Sequence, residues 1–179
     1  MSLCFRAWDT RTCWSCPPVR HARERERVET CLTDLRVSTR PDSQPTHTQH
    51  ASVDLVNVGA AVEAEKDALL ERFTAFAARV CALLQAQGHW ADYIDPCSGL
   101  PMVHRQGTGV YGEVDALVTL LHYTTANAGC CKVVLHPRWG SAVYPASLLT
   151  KAPLETAHSA LRAVAAEMAT QLRKQAAAA

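Results

Sequence analysis

The stretch that decides the fold is Gly129-Cys130-Cys131-Lys132-Val133-Val134-Leu135-His136-Pro137-Arg138-Trp139-Gly140, which continues into Ser141-Ala142-Val143-Tyr144. The valines and leucine before Pro137 favour a half-buried strand, and Pro137 and Gly140 are typical of a hairpin loop. The pattern therefore predicts a strand, a turn and a second strand that continues to Leu149.

The two adjacent cysteines are predicted to differ, because alternate side chains of a strand point to opposite faces. The more apolar set, predicted to face the core, is Cys131, Val133 and Leu135. The opposite set is Cys130, Lys132, Val134 and His136. On this hypothesis Cys131 is a small buried hydrophobe, and Cys130 is an accessible thiol whose thiolate the Lys132 ammonium favours. The alternative is that both cysteines only pack, since free cysteine is commonly buried.

Composition limits the classes of function. The chain has 179 residues, of which 48% are hydrophobic and 20% charged, and its net charge is +1. A charge so close to zero gives no general attraction to nucleic acid or to an anionic membrane, and no run approaches the roughly 18 apolar residues of a membrane span. Eight irregularly spaced cysteines without a hydrophobic secretion signal favour free thiols in a reducing compartment. We therefore expect no nucleic-acid partner and no membrane.

The chain divides into three parts. Residues 1–27 show neither helical nor strand periodicity and are predicted to be a disordered tail. Residues 28–60 are predicted to be a partly ordered strand and linker segment. Residues 61–179 are predicted to form an α+β domain with an extra helix at its C-terminal end.

Within the second part, residues 31–37 and 53–58 are candidates for extended structure. The polar stretch 40–50 between them contains Pro41 and Pro45 and is predicted to be a loop or linker.

A C-x-x-C pair lies in the predicted tail. Cys13 and Cys16, with His21 and Cys31, could supply the four ligands that zinc requires. The last spacing does not fit a zinc knuckle, and no strand precedes the pair as a redox motif would require. A disordered tail without metal is the alternative.

Apolar residues recur every three or four positions in 61–87, 113–123 and 153–175, which predicts three helices. The core stripe predicted for the first is Leu69, Phe73, Phe76, Val80, Leu83 and Leu84. Residues 89–94 alternate as a short strand, and 95–99 have the composition of a turn. The chain has no Gly-rich phosphate loop and no G-x-S-x-G or H-E-x-x-H motif.

Two motifs carry a resemblance to a known family. The run Gly88-His89-Trp90-Ala91-Asp92-Tyr93-Ile94-Asp95-Pro96-Cys97-Ser98-Gly99-Leu100, followed by Gly129-Cys130-Cys131-Lys132-Val133 and Trp139-Gly140, resembles the methylmalonic aciduria and homocystinuria type D protein. That family handles cobalamin inside cells. The resemblance covers about residues 62–150, and it implies a nitroreductase-like α+β fold. In this fold a mixed or antiparallel sheet is flanked by helices and the flavin site has been lost.

The resemblance also implies an adaptor and not an enzyme. Family members dock on the type C cobalamin-processing protein as a heterodimer and direct cobalamin to cytosolic methionine synthase or mitochondrial methylmalonyl-CoA mutase. It implies that no cofactor is tightly bound, that cobalamin is met transiently through the partner, and that Cys130, supported by Lys132, is the cobalt ligand. The expected location is the cytoplasm, with the mitochondrion as a second one. The alternative is a flavin-dependent nitroreductase-like oxidoreductase, against which stands the lack of a cluster of residues spaced to hold a flavin phosphate.

Overall fold

A computed structural model describes four parts of the chain, residues 35–37, 45–105, 109–129 and 131–178. The predicted tail, the potential zinc ligands Cys13, Cys16, His21 and Cys31, and Cys130 lie outside the described residues. Nothing in these ranges tests the predictions made for them.

The described ranges contain three helices and six strands. The helices are α1 (Ala60–Ala86), α2 (Glu113–Leu121) and α3 (Leu154–Ala178). The strands are β1 (Leu35–Val37), β2 (Pro45–His50), β3 (Ala91–Tyr93), β4 (Thr124–Ala128), β5 (Cys131–Leu135) and β6 (Val143–Thr150). All strand pairs are antiparallel, so the predicted α+β class is confirmed. None of the helices described has the length and apolar character needed to cross a membrane.

Four strands form the main sheet in the order β1-β2-β6-β3. The presence of β2 corrects the prediction of a linker, since residues 46–50 pair along β6 from Ser147 back to Val143. A polar strand is tolerated there because its buried member Gln49 donates a side-chain hydrogen bond to the carbonyl of Leu69, at 3.0 Å. The prediction of extended structure at 53–58 is wrong, because these residues form turns and bends.

Helices α1 and α3 cover one face of this sheet and build the main core with it. The predicted stripe of α1 is confirmed, with only Leu83 of its members partly exposed. Phe73 packs edge-on against Tyr93 of β3, with ring centroids 6.0 Å apart. Gly88 ends the helix region at a φ of 83°, which a residue with a Cβ rarely adopts. Helix α3 adds Ala160, Leu161 and Val164 to the same core.

Successive side chains of strand β6 point to opposite faces of the main sheet. Ala146 and Leu148 belong to the core with α1 and α3. Ser147, between them, is fully buried on the other side, where it contacts Glu113 at the start of α2. Helix α2 therefore meets the face of the sheet opposite α1 and α3.

The cysteine strand β5 pairs with β4 in a separate two-stranded sheet, with Thr124 opposite Leu135 and Ala128 opposite Cys131. The predicted pairing of this strand with the following one is therefore wrong. Strand β6 joins the main sheet instead, and β5 ends in one bridge between His136 and Gly140. A second, small core lies between this hairpin and α2, and its buried members are Leu117, Tyr123 and Val134.

Candidate functional site

The end of the β4–β5 hairpin near Cys131 is open to solvent, since Asn127, Gly129 and Lys132 are exposed. Gly129 makes the turn with a φ of 62°, a conformation that favours glycine. Cys131 and Lys132 follow in strand β5, opposite Ala128 and Asn127. Cys131 is half-buried and the Lys132 side chain is exposed, and as consecutive residues of the strand they point to opposite faces.

The predicted assignment of strand faces is wrong. Val134 and His136 are the buried residues, with 4% and 2% of their surface exposed, whereas Cys131, Val133 and Leu135 are half-buried. Cys131, Val133 and Leu135 were expected to be buried because they form the more apolar set. The burial of a polar ring is possible here because the His136 Nδ1 atom accepts backbone hydrogen bonds from Arg138 and Trp139 at 3.1 and 3.3 Å. Cys131 is therefore not the fully enclosed hydrophobe that alternation predicted.

Stacked rings fix the turn after β5. The rings of His136 and Trp139 are 4.0 Å apart and nearly parallel, at 16°. The ring of His50, the last residue of β2, lies 4.9 Å from the ring of Trp139. The ring of Tyr123 packs edge-on against the ring of His136, with their centroids 5.4 Å apart. These ring contacts link the turn after β5 to strand β2 of the main sheet, so this turn has a defined position.

The first family motif is built around a buried carboxylate. Asp92 Oδ1 accepts hydrogen bonds from the backbone N–H groups of Tyr93, Met102 and Val103 at 2.7, 3.1 and 2.9 Å. Its Oδ2 accepts from the backbone N–H of His104 at 2.8 Å and lies 3.1 Å from the His104 ring nitrogen Nδ1. Burial raises the pKa of Asp92, but these hydrogen bonds together bring it below its usual value. Asp92 thus anchors the loop at residues 102–104 as an anion.

The second aspartate of this motif holds the preceding turn. Asp95 accepts hydrogen bonds from the backbone of Cys97 and Ser98 at 3.3 and 3.1 Å, and from the Ser98 hydroxyl at 2.7 Å. The prediction of a turn at 95–99 is confirmed, and Asp92 and Asp95 bind different segments, so they are not a paired acid and base. The sequence did not reveal that each aspartate stabilises a loop.

Exposed apolar side chains surround the loop that Asp92 anchors. We call this surface the loop face, defined by Trp90, Leu100, Val103 and Val110, whose exposed fractions are 38%, 39%, 39% and 62%. The His104 ring stacks on Trp90 at 5.5 Å, and the Lys151 ammonium lies 5.8 Å from the centre of the Trp90 ring. A shallow cavity of about 230 Å³ opens beside it, lined by Ser98, Leu100, Pro101, Met102 and Arg105.

Two of the three cysteines described are poor sources of a thiolate. Burial, and then the Asp92 charge, raises the pKa of the Cys81 thiol to about 12. Partial burial, and then the Asp95 charge, raises the pKa of Cys97 as well. Within the described ranges no group of three or more His, Cys, Asp or Glu residues could hold a metal ion. Thiolate chemistry in this part of the chain is therefore disfavoured at Cys81 and Cys97.

Together these features define an α+β domain with a cysteine-bearing hairpin and an aspartate-anchored loop. The model of the methylmalonic aciduria and homocystinuria type D protein family matches residues 43–162, about two thirds of the chain. The chain belongs to this family, as its motifs predicted.

Relatives with curated names support the same family. The cobalamin trafficking protein CblD of Rattus norvegicus is 37% identical over 111 residues, which are 62% of this chain and 38% of that protein. The protein of the same name from Homo sapiens is 37% identical over 107 residues, 60% of this chain and 36% of that protein. The chain thus spans less than two fifths of the length of these relatives. Their names describe trafficking and mention no flavin, so the alternative of a flavin-dependent reductase gains no support.

Proposed function

We propose that this chain is a cobalamin-trafficking adaptor that catalyses no reaction itself. The observation that carries the proposal is the family match over residues 43–162, which includes both the Asp92 loop and the cysteine hairpin. The relatives are named for cobalamin trafficking. In this proposal cobalamin is cargo, held transiently in a complex and not as a resident cofactor.

The partner in the proposal is a type C cobalamin-processing protein, bound as a heterodimer. The loop face supports this role because its four apolar side chains are exposed, and one of them, Val103, lies on the loop whose backbone Asp92 holds in place. An interface that is already ordered loses less conformational entropy on binding. From this complex cobalamin passes to methionine synthase in the cytoplasm or to methylmalonyl-CoA mutase in the mitochondrion.

Cys130 is the proposed cobalt ligand, with Lys132 favouring its thiolate. A soft thiolate suits an axial position of the cobalt that the corrin leaves open, provided that the sulfur is deprotonated and accessible. The raised pKa values of Cys81 and Cys97 argue against either as the ligand. The exposed Lys132 in strand β5 adds a positive charge close to the proposed thiolate in sequence. A nitroreductase-like ancestry of the α+β domain, with its flavin site lost, is part of the same proposal.

The test mixes the full chain with a type C protein loaded with cobalamin and follows the cobalamin absorption spectrum. Cobalt ligation by the thiolate is expected to change the spectrum, and Cys130→Ser is expected to abolish the change. Cys131→Ser is the matched control, since it alters the adjacent residue, and it should leave the change in place. A spectrum that responds only to Cys131→Ser would assign the ligand to the other cysteine.

Docking is measured separately, by size-exclusion chromatography of the same mixtures. Cys130→Ser is expected to remain in the complex, because it removes the ligand and not the interface. If neither wild type nor variant forms a complex with the type C protein, the adaptor proposal is wrong, whatever the spectrum shows.

A further inference from the structure

Helix α2 begins at a buried carboxyl group. Glu113 is its first residue, and the Glu113 Oε2 atom accepts a hydrogen bond from the Ser147 hydroxyl at 2.6 Å. The Tyr111 hydroxyl lies 3.4 Å from the same Ser147 oxygen. The Glu113 Oε1 atom is also buried, and it has no hydrogen-bond partner among the described residues. Such a site favours the neutral carboxylic acid, because an ionised oxygen without a donor carries a large desolvation cost.

The Glu113–Ser147 hydrogen bond joins two parts of the molecule. We call α2, β4 and β5 the hairpin unit; it has its own small core and its own two-stranded sheet. Ser147 belongs to β6, an inner strand of the main sheet. An isolated two-stranded hairpin is marginally stable in water, so this unit depends on its attachment to the rest of the fold.

Among the described residues, burial and the Ser147 hydrogen bonds set the pKa of Glu113, and no positive charge contributes to it. Burial raises the pKa of Glu113 to about 7, although hydrogen bonds from Ser147 lower it. Burial also raises the pKa values of Tyr111 before the helix and Tyr144 on β6, and the Glu113 charge raises both further. These tyrosines are neutral at physiological pH, and Asp115 in the same turn of α2 is exposed. Among the described residues, ionised Glu113 is stabilised by the Ser147 hydrogen bonds and by its position at the start of α2, but its Oε1 atom has no donor.

We propose that Glu113 is a proton-dependent latch, which holds the hairpin unit on strand β6 while its carboxyl is protonated and loosens that unit when the carboxyl is ionised. When the hairpin unit is held on β6, which we call the seated state, the ionised Oε1 atom of Glu113 has no hydrogen-bond donor. When the unit has loosened, in the open state, water reaches both oxygens of this carboxylate. This is a property of the fold and does not depend on the cobalamin proposal. Its consequence is that the half-buried Cys131 on β5 becomes more accessible as the latch opens.

The sign of the pH dependence follows from linkage. The seated state has the higher Glu113 pKa and therefore binds more protons than the open state. The opening equilibrium is expected to rise by roughly tenfold or more between about pH 5 and about pH 7, and to level off above about pH 7.

The test is hydrogen–deuterium exchange of the full chain, followed by mass spectrometry and corrected for the intrinsic effect of pH. Peptides from α2 and β4 are expected to lose protection as the pH rises through this range, while peptides from β3 in the main sheet keep theirs. Glu113→Gln should remove most of this pH dependence, because its amide does not ionise. Glu155→Gln is the matched control, since Glu155 also lies in the first turn of a helix but is exposed, and it should behave as wild type.

A second variant tests the latch even if Glu113→Gln does not fold. Ser147→Ala removes a hydrogen bond that lowers the Glu113 pKa, so the pH at which protection levels off should move upward. A merely structural serine would change protection equally at every pH. The latch is ruled out if the pH dependence of α2 and β4 persists in Glu113→Gln, if it has the same midpoint in Ser147→Ala, or if β3 loses protection in parallel.

Discussion

Asp92 and His104 are joined twice, through the backbone and through the side chain. The Asp92 Oδ2 atom accepts the His104 backbone N–H at 2.8 Å and lies 3.1 Å from the Nδ1 atom of the ring. Both contacts come from a carboxylate that is only 1% exposed, and its other oxygen binds three further backbone N–H groups. One buried anion therefore orders the part of the loop face at residues 102–104.

Replacing that anion should destabilise the protein strongly. Asp92→Asn keeps the shape of the side chain but puts an NH₂ group where one oxygen accepted hydrogen bonds, so at least one backbone N–H is left buried without a partner. We expect a loss of about 3 kcal/mol in the free energy of unfolding, measured by urea denaturation. Asp54→Asn is the control, because Asp54 also accepts a backbone N–H, from Val56 at 3.0 Å, but is exposed. Equal losses in the two variants would contradict the role of the buried network.

The same carboxylate should make stability depend on pH in the acid range. The folded-state pKa of Asp92 is lowered, so its contribution is present above the unfolded-state pKa of about 4 and is lost as the pH falls through the folded-state value. The difference in unfolding free energy between wild type and Asp92→Asn is expected to be largest near about pH 6 and to shrink below about pH 4. Urea titrations over this range measure it, and a difference that grows on acidification would show that Asp92 is not the linked group.

The long helices could be predicted from sequence because their apolar stripes are wide and regular. The prediction for residues 61–87 agrees with α1 to within one residue at each end. Strand β2 was missed because its residues are polar, and its pairing with β6 depends on contacts far away in sequence. Strand β4, Thr-Thr-Ala-Asn-Ala, was missed for the same reason.

The site was predictable in its motifs but not in its geometry. Alternation divides β5 into two sets correctly, but which set is buried depends on the partners of His136, and these lie in the turn that follows. Asp92 was placed on a strand, yet four of its five hydrogen bonds reach ten to twelve residues along the chain and have no sequence signal. The latch residue Glu113 was predicted only as the start of a helix.

The buried Cys81 and the exposed Cys97 should differ sharply in reactivity. Cys81 is 1% exposed and burial raises its pKa to about 12, so it should resist alkylation in the folded protein. Cys97 is exposed and should be labelled slowly, because its pKa is raised as well. Mass spectrometry after brief labelling at about pH 8 measures both, and labelling in urea is the control that makes Cys81 reactive. Rapid modification of Cys81 in the native protein would contradict its burial in the α1 core.

Serine substitution tests the corrected position of Cys131. A half-buried thiol loses little on conversion to a hydroxyl, so Cys131→Ser should lower the free energy of unfolding by less than about 1 kcal/mol, whereas Cys81→Ser should lower it by about 1–3 kcal/mol. Urea denaturation of the two variants gives the comparison. A larger loss of unfolding free energy in Cys131→Ser than in Cys81→Ser would support the original prediction that Cys131 lies on the buried face of β5.

The last prediction concerns the protons of two histidines. The Nδ1 atom of His136 accepts from two backbone N–H groups, so its neutral ring must carry the proton on Nε2. The Nδ1 atom of His104 faces an ionised carboxylate, which can only accept, so this ring must carry a proton on Nδ1. Long-range ¹H–¹⁵N correlation spectra recorded above about pH 8 should therefore show opposite tautomers for the two rings.

Asp92→Asn provides the control for this measurement. It replaces the acceptor of His104 and should give that ring a mixture of tautomers, while His136, held by the turn after β5, keeps its proton on Nε2. If His104 carries its proton on Nε2 in the wild type, then Asp92 does not orient the ring, and the order of the loop face must come from the backbone hydrogen bonds alone.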